Sequence, residues 1–355
     1  MRFPEFSGEW EQYRLGDLVE IRSGVSPSGV VEDIGEFPFY KVEQLNNCHI
    51  KLGATPYWTK QSAIPADSIV FPKRGAAIMT NKIRISTQPC QIDTNLMALT
   101  VVNNEKFDFK FIYHFIDRCN LSKIADTSTI PQINNIHINP LKIRIPSFDE
   151  QKKISTLFTI LDERIATQIK VIEKLESLIK GLCQRLTQQS DPNTTLNEAL
   201  VCYSSTLQES SVQEVGDYPV YGATGVCGYT DAPEVDGDSI LIIKDGASVG
   251  VTYYASGKYS AIGTLNRLVA KRGYSLRYLY YCLKVFNFAP YRTGLAIPHI
   301  YFRDYGKAKV WCPSLDEQQL IADALTKVEQ KIAIAKSLLE QLYSQKRFLL
   351  QAMFI

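Results

Sequence analysis

The chain has 355 residues, of which 45% are hydrophobic and 21% are charged, and its formal net charge is +2 at pH 7. This length predicts two or three domains, and the composition is that of a globular chain with enough apolar residues to form cores. The small net charge excludes a globally cationic body. Any contact with nucleic acid must therefore come from local basic patches or from partner subunits.

The sequence indicates neither a membrane protein nor a disulfide-rich one. No apolar run approaches the roughly eighteen residues that span a bilayer, and residues 1–5 lack the apolar core of a signal peptide. The eight cysteines are scattered, with no Cys-x-x-Cys pair. Reduced thiols are therefore expected, rather than a zinc site or a disulfide framework. We predict a cytoplasmic protein with no membrane partner and no metal.

Strands and helices alternate in the first part of the chain and again in the second. Residues 68–71, 96–102 and 141–145 form β-rich runs, and the apolar spacing of 108–118 predicts a helix. The predicted counterparts in the second part are strands over 239–243, 250–254 and 307–311 and a helix over 275–286.

A glycine-bearing loop follows the first of these strands in each part. Such a loop can bring its backbone and its cations close to phosphates, although an ordinary solvated turn is an equal alternative. The candidate DNA-binding residues here are Lys73, Arg74, Thr80, Asn81 and Lys82, and in the second part Lys244 and Ser248.

A polar stretch precedes the last strand of each part, at 127–135 and 291–301. Asn and Gln can read adenine, Arg can read guanine, and Thr can contact the thymine methyl group. The alternative is a capped loop that holds a short helix onto the sheet. The two stretches share an Ile-Pro-x-Ile frame but differ in their polar residues, which favours two different target sequences, although unconstrained divergence would leave the same pattern. The candidates are Thr129, Gln132, Asn134, Arg292, Thr293, His299 and Tyr301.

Each part ends in a long predicted helix. Ser147 with Glu150, and Ser314 with Glu317, predict capping boxes at the two starts. The apolar positions that follow alternate spacings of four and three, which is typical of a coiled-coil seam. The seam residues are Ile154, Phe158, Leu161, Ile165, Ile172, Leu175, Ile179 and Leu182 in the first helix, and Ile321, Leu325, Val328, Ile332, Leu339 and Leu342 in the second.

Two polar residues, Gln168 and Lys346, interrupt the seams. They are expected to fix the register, with a solvated helix end as an equal alternative for Lys346. Because the first helix leads into the second part and the second helix must return, we expect the pair to be antiparallel.

The most specific feature is an internal repeat. Residues 146–151, Pro-Ser-Phe-Asp-Glu-Gln, return 167 residues later at 313–318 as Pro-Ser-Leu-Asp-Glu-Gln. A period this long indicates a duplicated domain-plus-helix module rather than a solenoid. We predict an α+β fold with a pseudo-two-fold repeat, in which two mixed α/β domains are separated by two long antiparallel coiled-coil helices. The predicted regions are domain one at 1–146, a helical region at 147–190, domain two at 191–313 and a helical region at 314–355.

No catalytic motif is complete. Residues 256–259, Ser-Gly-Lys-Tyr, fail as a phosphate-binding loop, no Gly-x-Gly-x-x-Gly occurs, and the four histidines lack His-Glu-x-x-His spacing. Residues 139–142, Asn-Pro-Leu-Lys, lack the second proline and the aromatic residue of an amino-methyltransferase motif. We predict no catalytic residue in this chain, which leaves a binding and positioning protein.

The repeated Pro-Ser-x-Asp-Glu-Gln motif that opens each long helix resembles the specificity subunits of type I restriction–modification systems. So do the segment 10–18 and the Ile-Pro-x-Ile frame, and the resemblance covers essentially the whole chain. It implies two target recognition domains that each read one half of a bipartite, asymmetric double-stranded DNA site.

The resemblance also implies partners and cofactors. The helices would set the spacer between half-sites and dock two modification subunits, which bind S-adenosylmethionine and methylate adenine at N6. A restriction subunit would add translocation and cleavage with ATP and Mg²⁺, and this chain itself would hold no cofactor. The alternative is a coiled-coil scaffold whose two domains bind proteins, and an enzyme is the third hypothesis.

Overall fold

The computed structural model describes residues 1–46, 50–127, 129–294 and 296–354. Cys48, His49, Ser128 and Leu295, which belong to the cysteines, histidines and polar stretches considered above, lie outside the described residues. The chain forms two compact units. Unit 1 is Met1–Lys170 with Ser337–Ile355, and unit 2 is Val171–Lys336.

Unit 1 is built around a four-stranded antiparallel sheet in the order β2-β8-β5-β6. Alternate residues of its strands face opposite sides, and both sides carry apolar cores, so the central strands are nearly continuous hydrophobic runs. The elements, in chain order, are β1 Glu11–Arg14, β2 Val19–Ser23, β3 Phe37–Tyr40, β4 Trp58–Thr59, β5 Ile69–Pro72, β6 Arg84–Ile85, β7 Gln91–Ile92, β8 Leu96–Val101, α1 Phe109–Cys119, α2 Leu121–Ile124, α3 Asn135–Ile138, β9 Lys142–Ile145 and α4 Phe148–Thr187.

Unit 2 repeats this sheet as β11-β18-β15-β16, again antiparallel and again with apolar cores on both faces. A second sheet has the order β13-β12-β17-β14. The elements are β10 Thr194–Thr195, α5 Leu196–Ala199, β11 Leu200–Ser204, β12 Tyr218–Gly222, β13 Gly225–Thr230, β14 Val235–Asp236, β15 Ser239–Ile243, β16 Thr252–Ala255, β17 Lys258–Ala261, β18 Leu265–Ala270, α6 Leu276–Val285, α7 Phe302–Tyr305, β19 Lys309–Val310 and α8 Leu315–Met353.

One predicted strand correspondence is wrong. The strand that occupies the place of β8 in unit 2 is β18, because each lies between the first strand of its sheet and the central strand β5 or β15. The predicted partner at 250–254 falls on β16, which holds the place of β6. The polar residues Asn266 and Arg267 interrupt the apolar pattern of β18 and explain why the sequence did not reveal it.

The glutamine of the repeated motif has a structural role that the sequence did not indicate. The Gln151 side-chain oxygen accepts a 2.9 Å hydrogen bond from the N–H of Asp108, the N-cap of α1. Gln318 accepts the equivalent 2.9 Å bond from Ser275, the N-cap of α6. Each motif therefore ties the start of its long helix, α4 or α8, to the start of the shorter helix α1 or α6.

The predicted capping box at Ser147 is replaced by an ion pair. The Glu150 side chain is fully buried, and both of its oxygens accept hydrogen bonds from the Arg2 guanidinium, at 2.7 and 2.6 Å. At the second start the N–H of Glu317 donates to the Ser314 hydroxyl at 3.4 Å, which is half of the predicted box.

Segments of α4 and α8 pack antiparallel inside each unit. In unit 1, Asp162 meets Lys346 at 2.7 Å, whereas the earlier Phe158 lies 6.0 Å, between ring centroids, from the later Phe354. In unit 2, Glu176 and Lys336 form a 2.6 Å ion pair across the two helices. Buried seam residues are Ile154, Phe158, Leu161, Ile165, Ile172, Ile179, Ile321, Leu325 and Ile332, and half-buried ones are Gln168, Leu175, Leu182, Val328, Leu339 and Leu342.

The alternative of a solvated Lys346 is wrong. Its side chain is only 13% exposed because it lies between two carboxylates.

Among the residues described, no helix has both the length and the apolar content that a bilayer crossing requires.

Candidate nucleic-acid interface

In unit 1 the structure brings together the two candidate segments that the sequence offered separately. The N–H of Ile133 donates to the carbonyl of Lys73, and the N–H of Gly75 donates to the carbonyl of Pro131, both at 2.8 Å. Arg74 and Gln132 lie opposite each other in this antiparallel bridge. The loop after β5 and the polar stretch therefore form one surface, which we call reading site 1: Lys73–Gly75 with Asp126–Asn134, excluding Ser128.

Unit 2 builds the same frame with different residues. The N–H of Ile300 donates to the carbonyl of Lys244, and that of Gly246 to the carbonyl of Pro298, both at 2.9 Å. Asp245 and His299 lie opposite each other in this second bridge. Reading site 2 is this surface: Lys244–Ser248 with Arg292–Arg303, excluding Leu295.

Local sequence explains why both frames form. Gly75 and Gly246 have φ of 83° and 97°, in the left-handed region that favours glycine. The second isoleucine of each Ile-Pro-x-Ile frame is buried, Ile133 at 0% and Ile300 at 1% exposure, and anchors the stretch in the core. The first isoleucine remains more than half exposed. The frame therefore fixes the residue between proline and the buried isoleucine, which is Gln132 or His299.

A second bridge holds each of these residues from the other side. The backbones of Gln132 and Asp126 exchange two hydrogen bonds of 2.9 Å. Thr293 and His299 exchange the equivalent pair, at 2.9 and 2.7 Å. Because the backbone is fixed on both sides, a ligand bound here would have to order only the side chains.

The side chains of the two sites differ in charge and shape. Site 1 presents the exposed guanidinium of Arg74 and the amide of Gln132. In site 2 the His299 Nδ1 lies 2.7 Å from the Asp245 carboxylate, and Tyr301 stacks on the imidazole with ring centroids 6.5 Å apart. The exposed Arg303 guanidinium lies 4.9 Å from the Tyr301 ring centre.

The remaining candidates of site 2 lie at its edges. Ser248 and Thr293 are exposed. Arg292 is also exposed, and its guanidinium donates to the Val249 carbonyl at 3.1 Å, which directs the side chain along the loop. The sequence does not indicate Asp245 and Arg303 as members of this surface, because an acidic residue does not by itself indicate a DNA contact and because Arg303 lies beyond the polar stretch at 291–301.

In unit 1, Thr129 and Asn134 are exposed members of site 1, whereas Lys73 takes part mainly through its backbone. Burial lowers the pKa of the Lys73 ammonium. Thr80 is exposed, and its hydroxyl donates to the Ala77 carbonyl at 2.6 Å. The Lys82 ammonium donates to the Asn46 side chain.

Asn81 is corrected to a structural role. Its φ of 47° closes the turn after 76–80, and its amide donates to the backbone and carboxylate oxygens of Asp117 at 3.3 and 3.2 Å. Its side-chain oxygen accepts from the N–H of Leu121 at 2.8 Å. Both ends of the amide are therefore occupied by groups of α1 and α2.

Two of the cysteines that the structure describes, Cys90 and Cys183, are buried in the apolar cores. Burial raises the pKa of the Cys90 thiol to about 12 and that of Cys183 to about 11. Within the described ranges, no group of three or more His, Cys, Asp and Glu side chains is arranged to hold a metal ion.

Comparison with known proteins identifies a matching family. The sequence profile of the family described as "Type I restriction modification DNA specificity domain" matches residues 7–177 and 203–344. The chain belongs to this family. The two matched ranges fall in the two repeated modules, so the predicted family resemblance is confirmed.

Curated relatives are specificity subunits of type I restriction enzymes. The MjaIX subunit of Methanocaldococcus jannaschii is 23% identical over 48% of this chain and 42% of its own length. The EcoprrI subunit of Escherichia coli is 20% identical over 90% of this chain and 88% of its own length. The chain spans less than half the length of the M. jannaschii relatives it matches.

Solved structures show that the specificity-domain fold extends over the whole chain. The S subunit of a type I restriction–modification system from M. genitalium covers 100% of this chain and 99% of its own, with 18% identity and a TM-score of 0.67. A structure from work on complex assembly and conformational transition of the type I R-M system covers 99% of this chain and 98% of its own, with 16% identity and a TM-score of 0.58. These likenesses confirm the predicted α+β class with an internal repeat.

Proposed function

We propose that this chain reads a bipartite, asymmetric DNA site, one half with each specificity domain, and contributes no catalytic group. The observation that carries the proposal is one backbone frame built twice with different side chains. Arg74 and Gln132 occupy the bridge in site 1, and Asp245 and His299 occupy it in site 2. A duplicated frame with unlike side chains suits two unlike half-sites.

The chemistry of site 1 suits direct contact with base edges. The Arg74 guanidinium can donate two parallel hydrogen bonds to guanine, and the Gln132 amide can both donate to and accept from adenine. Thr129 adds a methyl and a hydroxyl on the same exposed loop. Each good bidentate contact contributes about 1–3 kcal/mol of discrimination against the wrong base.

The chemistry of site 2 suits a different half-site. The Asp245 carboxylate fixes the His299 ring through Nδ1, which leaves Nε2 as the nitrogen for a ligand. Tyr301 and Arg303 form a stacked surface beside it, and the exposed Arg292 adds a cation. Stacked aromatic and guanidinium groups suit contacts with bases and phosphates.

We further propose that two modification subunits dock on the helices and supply the chemistry, as the family resemblance implies. These partners would bind S-adenosylmethionine and methylate adenine, and restriction subunits would use ATP and Mg²⁺, all in the cytoplasm. A groove of about 410 Å³ along α4 and α8 in unit 1 supports a protein partner. Ile160 and Leu338, which line it, are 49% and 45% exposed, and an exposed apolar groove on a helix pair is typical of a docking surface.

Charge reversal separates this proposal from the scaffold alternative. Arg74→Glu and Arg292→Glu, each in the full chain with its modification partner, should lower DNA-dependent methylation at least about tenfold, because each change puts an anion at the phosphate-facing surface. The matched controls are Arg144→Glu in unit 1 and Arg272→Glu in unit 2, exposed arginines outside the two sites. A scaffold that binds only proteins predicts equal methylation in all four variants, and that result would refute DNA reading.

A further inference from the structure

A buried lysine joins three helices of unit 1. The Lys346 ammonium on α8 lies 2.8 Å from the Asp117 carboxylate on α1 and 2.7 Å from the Asp162 carboxylate on α4. Burial alone would lower the pKa of Lys346, but the two carboxylates raise it above its usual value, so the lysine stays charged. The two carboxylates thus share one cation, and the side chains are 3% exposed at Asp162, 13% at Lys346 and 20% at Asp117.

Asp162 depends on this lysine. Its side chain is 3% exposed, and its second oxygen makes no hydrogen bond within the part of the chain that the structure describes. That oxygen lies 4.0 Å from the His114 Nδ1, and burial keeps the pKa of His114 well below its usual value, so the imidazole carries no charge. Lys346 is therefore the cation that balances Asp162.

Unit 2 has a carboxylate at the place of Asp162, but its cation comes from elsewhere. By the 167-residue offset of the repeat, Asp162 corresponds to Glu329 on α8. Lys284 on α6 pairs with Glu329 at 2.7 Å, and the hydroxyls of Tyr280 and Tyr281 donate to it at 3.1 and 3.0 Å. Burial raises the pKa of Glu329, but these bonds outweigh burial and hold it below its usual value.

The lysine that pairs with the equivalent carboxylate lies on a different helix in each unit. The residue equivalent to Lys284 in unit 1 is Asp117, an anion, and the residue equivalent to Lys346 in unit 2 is Ile179, buried at 7% exposure. In unit 1 the lysine is on α8, and it faces an aspartate on α1. In unit 2 the lysine is on α6, and α4 contributes an apolar residue instead.

We propose that this exchange is a pairing code that decides which helix half completes each unit. Unit 1 accepts the lysine-bearing half, residues 337–353 of α8, and unit 2 accepts the isoleucine-bearing half, residues 171–187 of α4. If the α4 half lay on unit 1, Ile179 would leave the buried Asp162 and the partly buried Asp117 with no cation. Breaking a buried pair in this way is strongly destabilising, so the wrong pairing is rejected. The code does not depend on what the reading sites bind.

The test is an exchange of the code in the full chain, followed by thermal unfolding. Lys346→Ile should lower the Tm by roughly 6 °C or more, because it leaves the buried Asp162 and the partly buried Asp117 unbalanced. Adding Asp117→Lys, which gives unit 1 the pattern of unit 2, should restore at least half of that loss. Asp117→Lys alone should lower the Tm, because it surrounds Asp162 with two cations.

The matched control is Lys336→Ile, the same substitution on the same helix. Lys336 is 55% exposed and pairs with an exposed Glu176, so its loss should lower the Tm by less than about 3 °C. The reciprocal exchange is made in unit 2. Ile179→Lys alone should lower the Tm, and the double variant Ile179→Lys with Lys284→Asp should restore part of that loss.

The pattern of recovery decides the proposal. The code is overturned if the Tm of the double variant is equal to or below that of the less stable single variant. It is also overturned if Lys346→Ile has the same Tm as Lys336→Ile. If Lys346→Ile is insoluble, the solubility of the double variant Asp117→Lys/Lys346→Ile decides the test. A soluble double variant supports the code, and an insoluble one overturns it.

Discussion

Asp245 lies 2.7 Å from the imidazole Nδ1 of His299, at the two bridge positions that Arg74 and Gln132 occupy in the other unit. An acid–imidazole pair therefore replaces a guanidinium–amide pair on an equivalent backbone. We propose that this difference in side chains, on a shared backbone frame, is what distinguishes two DNA sequences.

The frame itself can be tested at its glycine. Gly75→Ala strains a φ of 83°, and the relaxed backbone would move the Gly75 N–H away from the Pro131 carbonyl. We expect a stability loss of about 1 kcal/mol and a severalfold fall in DNA-dependent methylation, measured by unfolding and by methyl transfer in the complex.

Gly29 provides the control for this strain. Its φ is 75°, and like Gly75 it has open space where a Cβ would be added. Gly29→Ala should cost similar stability and leave methylation unchanged. If both variants lowered methylation equally, strain rather than the reading frame would account for the effect.

The buried His114 should make unit 1 sensitive to acid. Burial, with repulsion from Lys346 and Lys110, holds its pKa well below the usual 6.5. Below about pH 6.5 the unfolded histidine binds a proton while the folded one does not, so the stability it contributes is present above that pH and is lost as the pH falls.

Between pH 6.5 and 5.5 the wild type should therefore lose up to about 1 kcal/mol more of its unfolding free energy than His114→Phe. Chemical denaturation at the two pH values measures this difference. Tyr281→Phe, at the equivalent position of unit 2, should keep the wild-type slope. Identical slopes for the wild type and His114→Phe would contradict the assignment.

The seams of α4 and α8 predict that helix length sets the distance between the two methylated half-sites. A seven-residue block added to both helices at matched seam positions keeps the heptad phase and lengthens each by about 10 Å, or about three base pairs of DNA. The methylated half-sites should move apart by that amount. A four-residue block breaks the phase and should instead lower the Tm. An unchanged spacer with the seven-residue block would refute the proposal that the helices set the spacer between half-sites.

Periodic patterns were predictable from the sequence, and long-range partners were not. The helices beginning at Phe148 and Leu315 and the strands β5, β8 and β15 follow from local spacing and composition. The burial of Lys346 does not, because its partners Asp117 and Asp162 lie on other helices far away in the sequence.

The candidate sites show the same division. Residue type and position indicated Arg74, Gln132 and His299 as DNA-binding candidates, but only the fold shows that two separate segments form each site. Asn81 has the residue type of a reader, yet it closes a turn and anchors two helices. Local sequence cannot separate a side chain that is free for a ligand from one that the fold already uses.

Sequencing of methylated DNA from cells that carry this chain with its modification partner tests the central claim most directly. The wild type should give one asymmetric bipartite motif. Arg74→Ala with Gln132→Ala should relax one half of it, by about 1–3 kcal/mol per lost contact, and leave the other half intact. His299→Ala should relax only the opposite half. A motif in which either variant changes both halves, or neither, would contradict the account.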